Sequence, residues 1–211
     1  VAENIHPIFD RFLSRTEREN ALRQSAKVIW LMGLSGSGKS TIAKALENEL
    51  FLRGFKCFVL DGDNVRAGIN SNLGFSEEDR NENIRRVAEV AKLFLDAGII
   101  VICSFITPYE TQRQIAKQII GENDFFLAYL NTPLEVCEMR DVKGLYAKAK
   151  RNEIAYFTGV NAPFEEPKEA HFVINTANAT VYEVNSKLLQ TVLPILKLNA
   201  SNNLQHEFYN I

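Results

Sequence analysis

One octapeptide limits what this chain can fold into more than any other feature: Gly33-Leu34-Ser35-Gly36-Ser37-Gly38-Lys39-Ser40. It satisfies G-x-x-x-x-G-K-[ST] at every fixed position. The glycines let the backbone curl so that successive N–H groups point inward, a nest for phosphate oxygens at a helix N-terminus. Lys39 has the reach for the outer phosphates of a nucleotide. The Ser40 hydroxyl, followed by Thr41, suits a Mg²⁺ ligand. Such a loop works only between a strand and a helix. Here it follows the apolar run Val28–Met32 and precedes a helical pattern with Ile42, Ala45, Leu46 and Leu50 on one face. That order points to a domain that binds a nucleoside triphosphate.

The rest of the chain continues the alternation. Apolar runs at 56–60, 99–105, 125–130 and 171–174 read as four more strands. Most lack polar alternation, as expected of strands covered on both faces of a parallel sheet. A helix over 41–53 stops at Gly54 and one over 77–97 at Gly98, each glycine suited to the left-handed turn after a helix. Thr132-Pro133-Leu134-Glu135 has the pattern of a capping box with proline at the first helical position. The prediction is an α/β fold: a doubly wound, mostly parallel five-stranded sheet with helices on both faces and a lid. In such sheets ligands bind at the carboxyl ends of strands. Residues 1–26 form a charged N-terminal arm whose Ile5, Ile8, Phe9, Phe12 and Leu13 are expected to pack on the domain or on a partner subunit. The domain proper spans 27–198, with the lid at about 141–165, and 199–211 is a polar tail.

Composition narrows the class. A length of 211 residues with 46% hydrophobic content suits one domain with a substantial core. A net charge of −2 argues against an extended nucleic-acid groove. Cys57, Cys103 and Cys137 are far apart and read as reduced thiols, and His6, His171 and His206 have no metal-ligand spacing. No secretory pattern and no long apolar span is visible, so a cytoplasmic protein without membrane attachment is expected.

The residues after each strand carry the chemistry. Asp61-Gly62-Asp63 puts two carboxylates beside the phosphate loop, where one can hold a metal-bound water and the other can orient or deprotonate an attacking hydroxyl. An Asp-Gly surface turn is the alternative. Ser76 and Asp79 fit a helix N-terminus, and Arg80 and Asn83 share a helix face. With Arg66 and the ring of Phe75 they could bracket an anionic, aromatic acceptor, although each arginine alone reads as a solvated charge. Ser104, Thr107 and Tyr109 place hydroxyls after the third strand, where local turns are the bland reading. From Arg140 to Arg151 the chain is basic and punctuated by glycine, as in a mobile lid that keeps water from a transferring phosphate. For 148–151 a solvated helix is the alternative.

Taken in order, these blocks resemble the adenylylsulfate kinases (APS kinases). The match runs through the loop at 33–41, Asp61-Gly62-Asp63-Asn64-Val65-Arg66, the block 73–80 and Glu82-Asn83-Ile84-Arg85-Arg86. It continues with Ser104-Phe105-Ile106, the block 133–138, Arg140-Asp141, Lys143-Gly144-Leu145-Tyr146 and Phe157-Thr158-Gly159. The resemblance implies a P-loop NTPase-type fold and phosphoryl transfer from MgATP to the ribose 3′-hydroxyl of adenylyl sulfate. It implies that Asp63 handles the acceptor hydroxyl and, with Asp61 and Ser40, the Mg²⁺ shell. Arg66, Arg80 and Asn83 would hold the acceptor, Phe75 and Phe164 would enclose its adenine, and Ile106, Lys143 and Leu145 would border it. Arg140 would lie near the ATP adenine. Thr107 stands where the family usually has a serine sometimes described as a phosphorylated intermediate. Ala67, Glu110 and Val142 depart from a frequent histidine, arginine and proline. The family's habit of dimerising implies a homodimer, and its chemistry a functional link to ATP sulfurylase. Two other functions fit the same scaffold: a kinase of another nucleotide or a sugar acid, and a non-catalytic nucleotide-binding regulatory domain. The acceptor set Arg66, Phe75, Arg80 and Asn83 favours a nucleotide, and retention of Lys39 and Asp63 speaks against the regulatory domain.

Overall fold

The structure, a computed structural model, describes His6 and residues 8–198, the side chain of Asp10 excepted. The expected tail and Ile5 lie outside the described residues. Five strands, β1 (Val28–Met32), β2 (Cys57–Asp61), β3 (Ile100–Ser104), β4 (Phe125–Leu130) and β5 (Phe172–Ile174), form one all-parallel sheet in the order β2-β3-β1-β4-β5. The central strand β1 therefore delivers the phosphate loop to the middle of the sheet's carboxyl edge.

Hydrophobic runs without alternation mark the inner strands, since every residue of β1, β3 and β4 is buried. The edge strands differ. Phe58 of β2 and Val173 of β5 are exposed, because an edge strand has a neighbour on one side only. One core lies between the sheet and helices α4 (Glu77–Asp96) and α5 (Glu110–Ile120), around Trp30, Val87, Leu95 and Ile120. The other lies beneath α2 (Lys39–Leu52) and α8 (Val181–Leu196), around Ile29, Leu46, Leu50 and Leu188. Gly54 and Gly98 end α2 and α4 at φ of 87° and 80°, a left-handed backbone that glycine adopts without a Cβ clash.

Two expectations need correction. The arm's helix α1 (Arg15–Leu22) buries none of its residues, and Phe9, Phe12 and Leu13 stay exposed, so apolar packing on the domain does not hold it. Polar ties do. Arg15 pairs with Asp124 at 2.5 Å, and the wholly buried Gln24 donates to the carbonyls of Lys56 and Gly98 at 2.9 and 2.7 Å. The second correction is at α6 (Leu134–Arg140), whose N-cap is Pro133 with no side-chain cap. Thr132 is buried, and its hydroxyl bonds instead to Thr176 Oγ1 at 2.7 Å and to the Ser37 carbonyl at 3.4 Å.

Candidate active site

The loop at 33–40 is shaped by what its neighbours leave no room for. A Cβ on Gly33 would sit 2.7 Å from the Leu130 carbonyl, and one on Gly36 (φ 78°) 2.9 Å from that of Cys137. Each carbonyl from Gly33 to Ser37 accepts a hydrogen bond from a side chain behind the loop. Lys39 Nζ donates to Gly33 and Leu34 at 2.9 and 2.7 Å, and the Tyr146 hydroxyl to Ser35 at 2.9 Å. Arg140 donates to Gly36 at 3.2 Å and to Thr176 Oγ1 at 3.1 Å, and Thr176 in turn donates to Ser37 at 3.0 Å. With its carbonyls held outward, the loop can offer N–H groups to an anion.

Lys39 is 9% exposed, and burial pushes its ammonium down to about 8 despite the opposing pull of Cys137, Asp61 and Asp63. A positive charge held in so poor a solvent is primed for phosphate.

Asp61, at the end of β2, is the N-cap of the short helix α3 (Gly62–Ala67). One carboxylate oxygen accepts from the Asp63 backbone N–H at 3.1 Å, and the other accepts from Ser40 Oγ at 2.7 Å. Ser104 Oγ stands 3.5 Å from Ser40 Oγ. These are hard oxygen donors clustered at the mouth of the phosphate loop, the donor type that Mg²⁺ takes alongside phosphate oxygens and water. Asp63 is exposed and ion-paired with Lys143.

The acceptor candidates assemble around one exposed ring. Arg66 lies over Phe75 at 4.4 Å and donates to the Leu73 and Gly74 carbonyls at 3.1 and 2.8 Å. Arg80 stands 5.7 Å from the same ring, donating to Phe75 O and, across to the basic segment, to Tyr156 O at 2.5 Å. Burial lowers the pKa of both guanidinium groups, and among the described residues neither has a carboxylate within 4.0 Å. Buried arginines are ordinarily paired. Two half-buried unpaired cations flanking an exposed aromatic face are the recognition pattern for an anionic ring compound. Asn83 is buried beneath them, its Oδ1 accepting from Asn70 at 3.0 Å.

A cavity of about 760 Å³ joins the two halves. Its wall runs from Ser35 to Thr41 through Asp61, Asp63, Arg66, Phe75, Arg80 and Asn83 to Ile106, Thr107, Arg140, Lys143 and Leu145. Gly33 and Leu34 are not in that wall; their carbonyls face Lys39. Nor is Phe164, whose ring packs on Tyr129 at 6.0 Å and borders a separate shallow depression with Leu34 and Leu134. The structure thus brings the expected site residues together around one cavity, except Gly33 and Leu34, which lie behind its wall, and Phe164, which is not a partner of Phe75 there. Thr107 is in the wall but 2% exposed, with φ of 48° and its hydroxyl accepting from Trp30 Nε1 at 2.9 Å.

The basic segment is folded against the loop. Helix α7 (Leu145–Lys150) contributes Tyr146 and Ala149 to a small cluster with Leu34, Cys137 and Phe157, and Asp141 caps it through the Tyr146 and Ala147 N–H groups. Lys148, Lys150 and Arg151 face solvent, and Lys150 pairs with Glu138. Of the departures from the family pattern, Val142 is exposed, while Glu110 pairs with the buried Arg113 at 2.7 Å. Sequence reasoning missed Tyr146, Thr176 and Trp30 as supports. Tyr146 lay in a block already singled out, whereas Thr176 carried no signal.

Comparison with known proteins completes the description. The family model described as adenylylsulphate kinase matches residues 25–175. An adenylyl-sulfate kinase of Phocaeicola vulgatus is 58% identical over 194 residues, 92% of this chain and 95% of that protein. Among solved structures, the Mycobacterium tuberculosis APS kinase in complex with AMPPNP and APS superposes with a TM-score of 0.77 at 40% identity, covering 80% of this chain and 98% of that one. A hexameric APS kinase from Thiobacillus denitrificans gives 0.63 at 27% identity, over 84% of this chain and 31% of that one. The match extends over most of the sequence and over both halves of the cavity, and the chain belongs to the adenylylsulphate kinase family of P-loop kinases.

Proposed function

We propose that this chain transfers the γ-phosphate of MgATP to the ribose 3′-hydroxyl of adenylyl sulfate, giving 3′-phosphoadenylyl sulfate and ADP. The observation that carries the reading is the pair Arg66 and Arg80, unpaired cations around Phe75 in a cavity shared with the phosphate loop. A neutral sugar would leave both charges without a counter-ion, whereas a sulfated nucleotide supplies anions and a ring together. Loop amides and Lys39 hold the donor phosphates, with Arg140 at the base end. Asp63 accepts the proton of the 3′-hydroxyl as its oxygen attacks the γ-phosphorus, and the bond to the bridging oxygen of ADP breaks. Ser40 and Asp61, with Asp63 through water, would hold Mg²⁺, which when bound neutralises charge on the phosphates. Asn83, Ile106, Leu145 and Lys143 border the acceptor. Thr107 enters at the wall, and its hydroxyl, already engaged by Trp30, serves as an anchor. The segment 141–165 acts as the lid, excluding water once both substrates are in.

Two wider assignments belong to the same reading. The exposed Phe9, Phe12 and Leu13 of the arm support self-association as a homodimer. The acceptor is a mixed anhydride that adenylyl transfer to sulfate must supply, which is the link to a sulfurylase. No helix among the described residues is long and apolar enough to cross a membrane.

The test is release of ADP with adenylyl sulfate, set against a panel of nucleotides and sugar acids. Mg²⁺-dependent turnover of adenylyl sulfate is expected, lost in Asp63→Ala and Lys39→Ala variants that remain folded. Failure with adenylyl sulfate alongside phosphorylation of another acceptor would overturn the assignment. Tight nucleotide binding without any transfer would favour a regulatory domain.

A further inference from the structure

Helix α5 carries a buried charge that the transfer does not use. Arg113 is 3% exposed, and its guanidinium spends its donors in three directions. Nη1 donates to the Thr107 carbonyl at 3.1 Å and to the Glu165 carbonyl at 3.0 Å. Nε and Nη2 donate to Glu110 Oε2 at 3.0 and 2.7 Å. The two loops so joined also bond directly. The Glu110 N–H donates to Glu165 Oε2 at 2.7 Å, and the Glu165 N–H to the Pro108 carbonyl at 2.8 Å. Thr107 and Pro108 line the cavity beside Ile106, whereas Glu165 ends the 141–165 segment.

If α5 needed only to pack, an apolar side chain would serve at 113, because a buried ion pair rarely improves on a hydrophobic one. What an apolar residue could not do is hold two backbone carbonyls from segments far apart in the chain. The need for holding is visible at Thr107, a β-branched residue in the left-handed region at φ of 48°. That conformation costs about 1–2 kcal/mol and persists only where its surroundings fix it. Trp30 fixes the Thr107 side chain, and Arg113 fixes its carbonyl.

We propose that Arg113 is a positioning residue for the acceptor half of the site, fastening the loop after β3 to the trailing end of the 141–165 segment so that the wall at 106–108 keeps its shape. This rests on the acceptor assignment above. Glu110, paired with Arg113 at 2.7 Å, is the counter-ion that lets the guanidinium be buried.

Two experiments test it on the full chain. In steady-state kinetics, Arg113→Lys retains charge without the planar fork, and Arg113→Gln removes the charge. Both are expected to raise KM for adenylyl sulfate about tenfold or more while KM for ATP stays within about twofold, the size of loss that small misplacement of a binding wall produces. A merely structural role would lower the melting temperature and the active fraction and leave both KM values in place, and that result overturns the proposal. Hydrogen exchange of the ligand-free protein supplies a readout that needs no substrate. Segments 105–109 and 163–167 are expected to gain exchange together in both variants, while β1 does not. Unchanged exchange in those two segments refutes the clamp. Wild-type protein inactive towards adenylyl sulfate instead refutes the functional reading, and the exchange result then decides the clamp by itself.

Discussion

A lysine whose ammonium is depressed by burial should make this protein more stable as the solution becomes more alkaline, and at the same time a poorer binder of nucleotide. The perturbation is pH, with Lys39→Met as the reference chain. An ordinary lysine titrates at 10.5 and Lys39 at about 8, so carrying its proton in the ligand-free fold costs about 3 kcal/mol. Between those two values the unfolded chain binds the extra proton and the folded chain does not. Linkage then requires stability to rise with pH there, at up to about 1.4 kcal/mol per pH unit. Below the folded value both states are protonated and the full penalty is present; it is relieved progressively from about 8 to 10.5. The urea-unfolding free energy of the wild type, minus that of the variant, is therefore expected to rise by about 2 kcal/mol from about pH 7.5 to about pH 9.5. Subtraction removes the tyrosines and cysteines that titrate in both chains. Binding runs the other way. Phosphate restores the charged form, so affinity for a non-hydrolysable ATP analogue is highest below pH 8 and falls by up to about tenfold per pH unit above it. A stability difference that is flat or falls over this range would refute the argument, and would mean that the carbonyls of Gly33 and Leu34 compensate the ammonium for its lost water.

Two further substitutions probe the site's frame. Gly36→Ala forces a Cβ to within 2.9 Å of the Cys137 carbonyl at a φ of 78°, and is expected to cost about 2 kcal/mol and weaken nucleotide binding tenfold or more in a titration. Thr107→Val keeps the shape but leaves the buried Trp30 N–H without an acceptor, a loss of about 1–3 kcal/mol by urea unfolding. Its kcat is expected to stay within about tenfold of wild type, since direct transfer to the acceptor hydroxyl beside Asp63 does not pass through Thr107. A fall to background in a folded variant would refute that expectation, and only label from ATP recovered on Thr107 would establish a phosphorylated intermediate there.

The sequence was most legible where one physical cause sets the outcome. Apolar runs marked all five strands, most cleanly the inner three, where every residue is buried, and glycines at 54 and 98 marked helix ends because only the backbone matters there. The limit shows in one pattern compared at the starts of α1, α6 and α8. Ser14 with Glu17 and Thr180 with Glu183 form capping boxes at exposed helix starts. Thr132 with Glu135 has the same spacing and forms none, because its hydroxyl is buried beside Thr176 and the Ser37 carbonyl, better partners in a dry setting. Spacing reports local possibility, and long-range competition decides. Phe164 shows the same gap between local chemistry and placement: its ring packs on Tyr129 and lies outside the cavity wall that holds Phe75. Gln24, Arg113 and Thr176 act through backbone carbonyls, which have no sequence signature at all. Arg66, Phe75, Arg80 and Asn83 stood out together because charge and aromaticity are concentrated in a short span, and the structure gathers them on one cavity wall.

Leu34 belongs to two bodies at once: it is part of the phosphate loop, and it is also a wall of the small cluster that holds Tyr146, Ala149 and Phe157. A group of five buried side chains is too small to be a cooperative unit of its own, so α7 and the turn after it share the fate of the loop they rest on. Loosening the loop should melt that segment, and tightening it should freeze it, without any hinge between them. Amide exchange at 145–157 is therefore a thermometer for the phosphate loop, readable at a distance from the nucleotide itself.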